Sequence, residues 1–176
     1  FAEAQKALEN VYYFAMFLSL SESYLTPLTC WRILSMPALR RTLRQQAEIA
    51  ETLPNWTRFA VATFAKRAGL YWEAEPFARA MTSTLATHNE TDSYDRDDGL
   101  QLLGELYNLQ GCYDKARPLL EETLEIRSTT LGEEHPETLE TLTELGNNQY
   151  LMGHYDRAIE TLDRAFRLRR RVLGED

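Results

Sequence analysis

The sequence repeats itself at a spacing of 42 residues. The segment GCYDKA at residues 111–116 returns as GHYDRA at residues 153–158, and GLYWEA stands at residues 69–74. The phrase LGEE at residues 131–134 returns as LGED at residues 173–176. Units of fixed length that recur in tandem fold by packing each unit on its neighbours. The spacing therefore predicts a repeat array.

The repeat defines three units, residues 55–96, 97–138 and 139–176, and a preceding segment, residues 1–54, that lacks the pattern. Helical periodicity in that segment predicts an all-helical cap, because the open end of a repeat array needs one. The alternatives are the end of a preceding domain and a helix that lies on a membrane surface. Since the last phrase is the one that links two units, we expect the natural protein to continue with another repeat.

Each unit reads as two helices, and the last unit shows this best. Pro136 suits a first helical turn, where its missing N–H has no partner within the helix. Gly153 supplies the left-handed backbone that ends this helix, and Asp156 is the predicted N-cap of the next. Gly174 is the predicted stop of the second helix. The apolar stripe of that helix comprises Ala158, Ile159, Leu162, Ala165, Phe166 and Val172.

Small residues recur at fixed places in the units. Gly104 and Gly146 occupy the first helices, and Ala116 and Ala158 occupy the second helices. Two antiparallel helices approach closely only where side chains are small, so these residues are the predicted contact points. A large side chain there would overpack the contact at a cost of about 1–3 kcal/mol.

The Gly, Tyr and Ala in register resemble the tetratricopeptide repeat. The segments LGEEHPETLETL and ARPLLEETLEIRSTTLGEEHP resemble its 42-residue variety, which occurs in kinesin light chains and in C-terminal arrays of NTPase-type (NLR-like) receptors. The resemblance implies an all-α fold, a right-handed α-solenoid of antiparallel helix pairs. The first unit departs from the pattern, because Arg58 and Ala62 stand at apolar and Gly positions.

Motifs for chemistry are lacking in the sequence. It contains no GxSxG, no P-loop, no HExxH and no paired zinc motif, so we expect no enzyme, no cofactor and no metal. The acidic run at residues 90–98 lacks the Gly and closing Glu of a calcium loop and reads as a solvated linker. His135 is expected to cap or pack at the helix start. The net charge of −8 argues against binding to nucleic acid or to an acidic membrane.

The resemblance implies a concave groove, lined by the first helices of the units, that binds a protein or peptide partner. Its candidate residues are Trp56, Phe59, Thr63, Lys66, Arg67, Gln101, Glu105, Asn108, Thr143, Asn147 and Tyr150. Members of the family often carry an Asn that holds a peptide backbone, but this chain has Ala60, Leu102 and Glu144 at those places.

The predicted function is a non-enzymatic protein–protein interaction scaffold, as the sensing or oligomerisation arm of a larger signalling protein. The alternatives are a motor-cargo adaptor of the kinesin-light-chain type, a substrate-recruiting module of an enzyme whose catalytic domain lies elsewhere, and a membrane-surface module. Two cysteines without a disulfide or metal spacing favour a reducing compartment and a cytoplasmic location. Self-association through the open C-terminal repeat is a further expectation.

Overall fold

The computed structural model describes residues 37, 40, 41, 43–83 and 96–174. Regular secondary structure in these residues is entirely helical. A 3-10 helix spans Ala50–Thr52, and the principal helices are α1 (Asn55–Arg67), α2 (Tyr71–Thr82), α3 (Arg96–Leu109), α4 (Tyr113–Thr130), α5 (Pro136–Leu151) and α6 (Tyr155–Leu173). The helices predicted for residues 1–36 lie outside the described residues.

The chain divides into two compact units, a first unit of Phe1–Asp95 and a second unit of Arg96–Asp176. These units are larger than the 42-residue repeats of the sequence. In the first, α1 packs against α2, and α2 also contacts the 3-10 helix. In the second, α3 packs against α4, α4 against α5, and α5 against α6. Helices α2, α4 and α6 begin at Tyr71, Tyr113 and Tyr155, which is the 42-residue spacing of the sequence. The division into a cap and three repeats stays a prediction.

The turn between α5 and α6 contains Gly153 in the left-handed conformation that the sequence predicts. Gly153 has a φ of +80°, a backbone conformation that residues with a Cβ rarely adopt. The N–H of His154 donates to the carbonyl of Gln149 at 2.9 Å, so a carbonyl of the last turn of α5 gains a partner. The short turn reverses the chain and sets α6 against α5.

The predicted cap of α6 is wrong, and the predicted cap of α5 is confirmed. Helix α6 begins at Tyr155, and the structure places His154, whose side chain makes no capping hydrogen bond, at the N-cap. Asp156 lies in the first turn instead, where its charge favours the positive end of the helix dipole. At α5 the Nδ1 atom of His135 accepts a hydrogen bond from the N–H of Glu137 at 3.3 Å.

The predicted close contacts at the two helical glycines are confirmed. A Cβ placed on Gly104 would lie 2.9 Å from Cδ2 of Leu120, and one on Gly146 would lie 2.7 Å from Cδ2 of Leu162. Leu120 is fully buried, whereas Leu162 is partly exposed. The α3–α4 contact therefore has less room to adjust than the α5–α6 contact.

The core of the second unit joins three helices. Leu139 and Leu142 of α5 are buried together with Ala165 and Leu168 of α6, and Leu124 of α4 packs against this cluster. The spacing of three residues puts each pair on one face of its helix. Successive helix pairs thus share one continuous apolar layer, as a repeat array requires.

Arg58 explains how the first unit tolerates a charged residue at an apolar position. Its side chain is buried and donates to the carbonyls of Ala50 and Ala80 at 2.8 and 2.9 Å and to Oδ1 of Asn55 at 2.8 Å. Ala80 lies in the last turn of α2, where carbonyls have no partner within the helix. The guanidinium therefore satisfies helix-end carbonyls in place of apolar packing.

Candidate partner-binding groove

The six candidate residues of the second unit fall at equivalent positions on α3 and α5. The α3 residues are Gln101, Glu105 and Asn108. Their counterparts 42 residues later on α5 are Thr143, Asn147 and Tyr150. Spacings of four and three residues place each set on one face of its helix. Helices α3 and α5 also contact each other, so the two faces belong to neighbouring first helices.

These six residues differ in how much surface they offer. Asn147 and Tyr150 are exposed, whereas Glu105, Asn108 and Thr143 are half-buried. Gln101 is buried, and its Nε2 donates to Oε1 of Glu105 at 2.8 Å. A partner would therefore meet the α5 residues most directly, while Gln101 orients Glu105.

The candidate residues of the first unit lie on α1. Trp56 and Arg67 are exposed, and Phe59, Thr63 and Lys66 are half-buried. The arginine and lysine fall in the last turn of α1, where positive charge is favoured by the helix dipole. This face combines aromatic surface with basic groups, whereas the exposed candidate residues of α5, Asn147 and Tyr150, are uncharged.

Asn148 is a buried polar residue of α5 that was not among the predicted groove residues. Its side chain is fully buried, and its Nδ2 donates to Oδ1 of Asn108 at 2.7 Å and to the carbonyl of Tyr113 at 3.0 Å. These bonds tie α5 to the end of α3 and the start of α4. The repeat indicates that Asn148 faces inward, because the residue 42 positions earlier is the buried Leu106.

We expect Asn148→Leu to lower the free energy of unfolding by about 1–2 kcal/mol, because the half-buried carbonyl of Tyr113 and Oδ1 of Asn108 lose a hydrogen-bond donor. Urea denaturation checks this result. Asn147→Leu, at the exposed neighbouring position, is the matched control and should change the free energy by less than about 0.5 kcal/mol. Equal changes in the two variants would show that the buried bonds contribute nothing.

Arg127 forms a second buried polar contact between the helix pairs of this unit. Its side chain is 3% exposed. It donates from Nε to Asp97 and from an Nη atom to Asp98, both at 2.8 Å. The other Nη atom donates to the carbonyl of Glu137 at 3.3 Å and to the hydroxyl of Thr141 at 3.2 Å. One guanidinium thus connects α3, α4 and α5.

The partners of Arg127 correct the reading of the acidic run as a solvated linker at its last two residues, Asp97 and Asp98. Residues 90–95 of the run lie outside the described residues. Asp97 and Asp98 lie in the first turn of α3 and are half-buried. Their carboxylate oxygens and one from Glu137 lie within 4.8 Å of one another, a spacing that could suit a cation. The guanidinium of Arg127 already supplies positive charge there, so the cluster is explained by ion pairing.

The comparisons with known proteins agree with this geometry. A family model described as the tetratricopeptide repeat matches residues 99–171. These residues are tetratricopeptide repeats. The match covers the four helices of the second unit except their outermost residues. No curated protein sequence is similar enough to the chain to count as a match.

Two solved structures support the same fold over nearly the whole chain. Both are of nearly identical TPR-like repeats from a provisional kinesin light chain of Podosopora anserina. One has a TM-score of 0.58 and 20% identity over 98% of this chain and 90% of that chain. The other has a TM-score of 0.57 and 21% identity over 97% and 89%. The predicted fold class, an all-α solenoid of antiparallel helix pairs, is confirmed.

The length and apolar character of the described helices decide whether they could span a membrane. A spanning helix needs about 20 mainly apolar residues. Within the described ranges, none of the helices is both long and apolar enough to cross a bilayer.

Proposed function

We propose that the chain is a non-enzymatic protein–protein interaction scaffold whose first helices bind a peptide or a partner helix. Tetratricopeptide repeats in general mediate binding between proteins, and residues 99–171 match that family. The observation that carries the proposal is the pair Asn147 and Tyr150. Both are exposed on α5, on the helix face equivalent to that of Glu105 and Asn108 on α3.

The chemistry of this face favours a ligand with both apolar and polar groups. The ring of Tyr150 lies 5.4 Å from that of Tyr155, at 59°, so the two rings offer an apolar surface with hydroxyls at its edge. The amide of Asn147 both donates and accepts hydrogen bonds, as a peptide backbone requires. Glu105 adds a carboxylate that favours a basic side chain on the ligand. Specificity would therefore come from side chains, because Glu144 stands where an amide clamp is common in the family.

The broader role proposed is the sensing or oligomerisation arm of a larger cytoplasmic signalling protein. The missing Asn pattern argues against a motor-cargo adaptor, although the fold resembles repeats of a provisional kinesin light chain. A substrate-recruiting module of an enzyme is the third candidate. Sequence that flanks this chain in its gene discriminates between them: a P-loop upstream supports the receptor, and a protease or transferase motif supports the enzyme.

We test the groove with peptides selected from a random display library on the immobilised full chain. Binding of the tightest selected peptide should weaken about tenfold or more in Asn147→Ala and Tyr150→Ala, because a few central contacts dominate binding energy. The measurement is fluorescence anisotropy of the labelled peptide, with circular dichroism to confirm that each variant is folded.

The matched controls are Arg164→Ala and Arg171→Ala on α6. These side chains are exposed and pair at 3.0 and 3.1 Å with Glu133 and Glu134, which precede α5, whereas Asn147 and Tyr150 lie near its other end. Their affinities should stay within about twofold of the parent, since exposed ion pairs contribute little. Similar losses in the α5 and α6 variants would rule out the groove as the binding site.

A further inference from the structure

The first helices of the second unit, α3 and α5, are rich in acidic residues. Helix α3 contains three of them against one arginine, and α5 contains three glutamates and no basic residue. The arginine of α3 is Arg96, which pairs with Glu122 of α4 at 2.7 Å. Three of the acidic residues pair with Arg127 of α4: Asp97, Asp98 and Glu137. The other three glutamates therefore decide which charge α3 and α5 offer to a ligand.

These three glutamates lie on the helix faces of the candidate groove. Glu140 and Glu144 precede Asn147 by seven and three residues, close to two turns and one turn of α5, so they share its face. Glu140 is exposed and Glu144 is half-buried. The third is the half-buried Glu105 of α3, at the position equivalent to Asn147. We call Glu105, Glu140 and Glu144 the groove glutamates.

A buried acceptor beside Glu105 points to a ligand with several N–H groups. Gln101 is 6% exposed, and its Nε2 donates to Oε1 of Glu105 at 2.8 Å. Among the described residues, its buried Oε1 has no hydrogen-bond partner. Because both atoms belong to one planar amide, this acceptor lies next to the carboxylate of Glu105. Since a buried acceptor without a partner is unfavourable, a donor that bridged the two side chains would be stabilised there.

Exposed apolar side chains lie on the same faces as the groove glutamates. Leu109 of α3 and Leu151 of α5 are 49% and 46% exposed and stand 42 residues apart, at equivalent positions. Leu109 follows Glu105 by four residues, and Leu151 follows Glu144 by seven, spacings that keep each pair on one side of its helix. A ligand of the groove therefore meets negative charge and apolar surface together.

We propose, resting on the scaffold function already proposed, that the groove binds a basic segment of a partner protein in which arginine stands beside a large apolar residue. The guanidinium has five N–H donors in a planar fork. It would pair with Glu105 and also donate to Oε1 of Gln101. Further basic residues would pair with Glu140 and Glu144, and the apolar residue would cover the exposed leucines.

Charge and shape distinguish this ligand from others. An acidic segment would be repelled by the groove glutamates. Lysine carries the right charge, but its ammonium group is a compact point charge without the planar fork. It would pair with Glu105 and leave the acceptor of Gln101 without a donor. We therefore expect arginine to be preferred to lysine.

The test measures binding of three labelled synthetic peptides to the full chain by fluorescence anisotropy. Each peptide repeats the unit Leu-Ser-x, in which x is arginine, lysine or glutamate. The arginine peptide should bind about fivefold more tightly than the lysine peptide, and the glutamate peptide about 100-fold more weakly or not at all. Gln101→Leu, checked for folding by circular dichroism, should make the arginine and lysine affinities equal within about twofold.

Two charge variants locate the contact. Glu140→Gln should weaken binding of the arginine peptide about fivefold or more. Glu125→Gln is the matched control, because Glu125 is also exposed but lies on α4, a second helix, and it should stay within about twofold of the parent. Each substitution removes one negative charge, so attraction to the net charge alone would weaken both equally. Equal losses, or tightest binding of the lysine or glutamate peptide, would overturn the proposal.

Peptides selected from the display library separate a failure of this inference from a failure of the groove. Selected peptides whose binding weakens in Asn147→Ala should be rich in arginine and large apolar residues. Acidic or uncharged peptides with the same dependence on Asn147 would overturn the arginine preference and leave the groove intact. If the selected peptides bound equally well to Asn147→Ala and Tyr150→Ala, or if no peptide bound, both the inference and the groove would be wrong.

Discussion

Arg127→Met should lower the free energy of unfolding by about 2–4 kcal/mol. The substitution removes the cation from a buried site and leaves two carboxylates, Asp97 and Asp98, without their partner. Breaking a buried ion pair from one side costs about 3–5 kcal/mol. The expected value is smaller because the two carboxylates are 16% and 25% exposed and water screens them in part. Urea denaturation followed by circular dichroism measures the change.

The repeat provides a matched control for Arg127. Arg169→Met alters the same residue type at the equivalent position, but Arg169 is exposed, so its effect should stay below about 0.5 kcal/mol. The triple variant Arg127→Met, Asp97→Asn and Asp98→Asn should regain part of the loss, because no uncompensated charge remains. Equal effects of the two arginine substitutions would contradict the assignment of Arg127 as the connection between α3, α4 and α5.

Gly104→Leu should destabilise the chain by about 2–3 kcal/mol through overpacking. Even a Cβ at this position would lie 2.9 Å from Cδ2 of Leu120, and the full burial of Leu120 leaves its side chain little room to move aside. Gly146→Leu should cost about 1–3 kcal/mol by the same mechanism, and less than Gly104→Leu because Leu162 is partly exposed. In both variants the expected destabilisation is a net value, because the better helix propensity of Leu offsets about 1 kcal/mol of the overpacking cost.

Asn147→Leu separates packing from propensity for the glycine variants. It introduces the same side chain beside Gly146, but at an exposed position of α5. Its denaturation midpoint should stay near that of the parent. If Gly104→Leu or Gly146→Leu raised the midpoint, the register of the helix pairs would be wrong.

The repeat spacing was enough to predict the local features of the fold. Gly153, Gly146 and Pro136 each act through a constraint that reaches only the neighbouring turn or the adjacent helix. Residues under such constraints recur every 42 residues, so they can be recognised by aligning the repeats with one another. The start of α6 was missed by two residues, because Asp156 favours the helix dipole from the first turn as well as from the N-cap.

The polar contacts inside the array could not be predicted in this way. Arg127 meets Asp97 and Asp98 across about 30 residues, and Asn148 meets Asn108 across 40. Asn148 departs from the apolar residue that the repeat would favour, whereas Arg127 recurs as Arg169. The repeat supplies no partner for either residue. A polar residue at an inward position of the periodic pattern was the available signal.

The candidate groove was predictable as a set of positions but not as a surface. The family resemblance suggested Gln101, Glu105 and Asn108 as groove positions on α3. It could not show that Gln101 is buried, because burial depends on how closely neighbouring helices approach. Asn147 and Tyr150 on α5 remain exposed, and they now carry the proposal.

The most direct test of the proposed groove is photo-crosslinking of the selected peptide to the full chain, with the attachment sites identified by mass spectrometry. A benzophenone placed at successive peptide positions reports which helices lie beside it. The groove predicts attachment to the exposed residues of α5, around Asn147 and Tyr150, and to the corresponding face of α3. Attachment confined to α4 and α6 would contradict it.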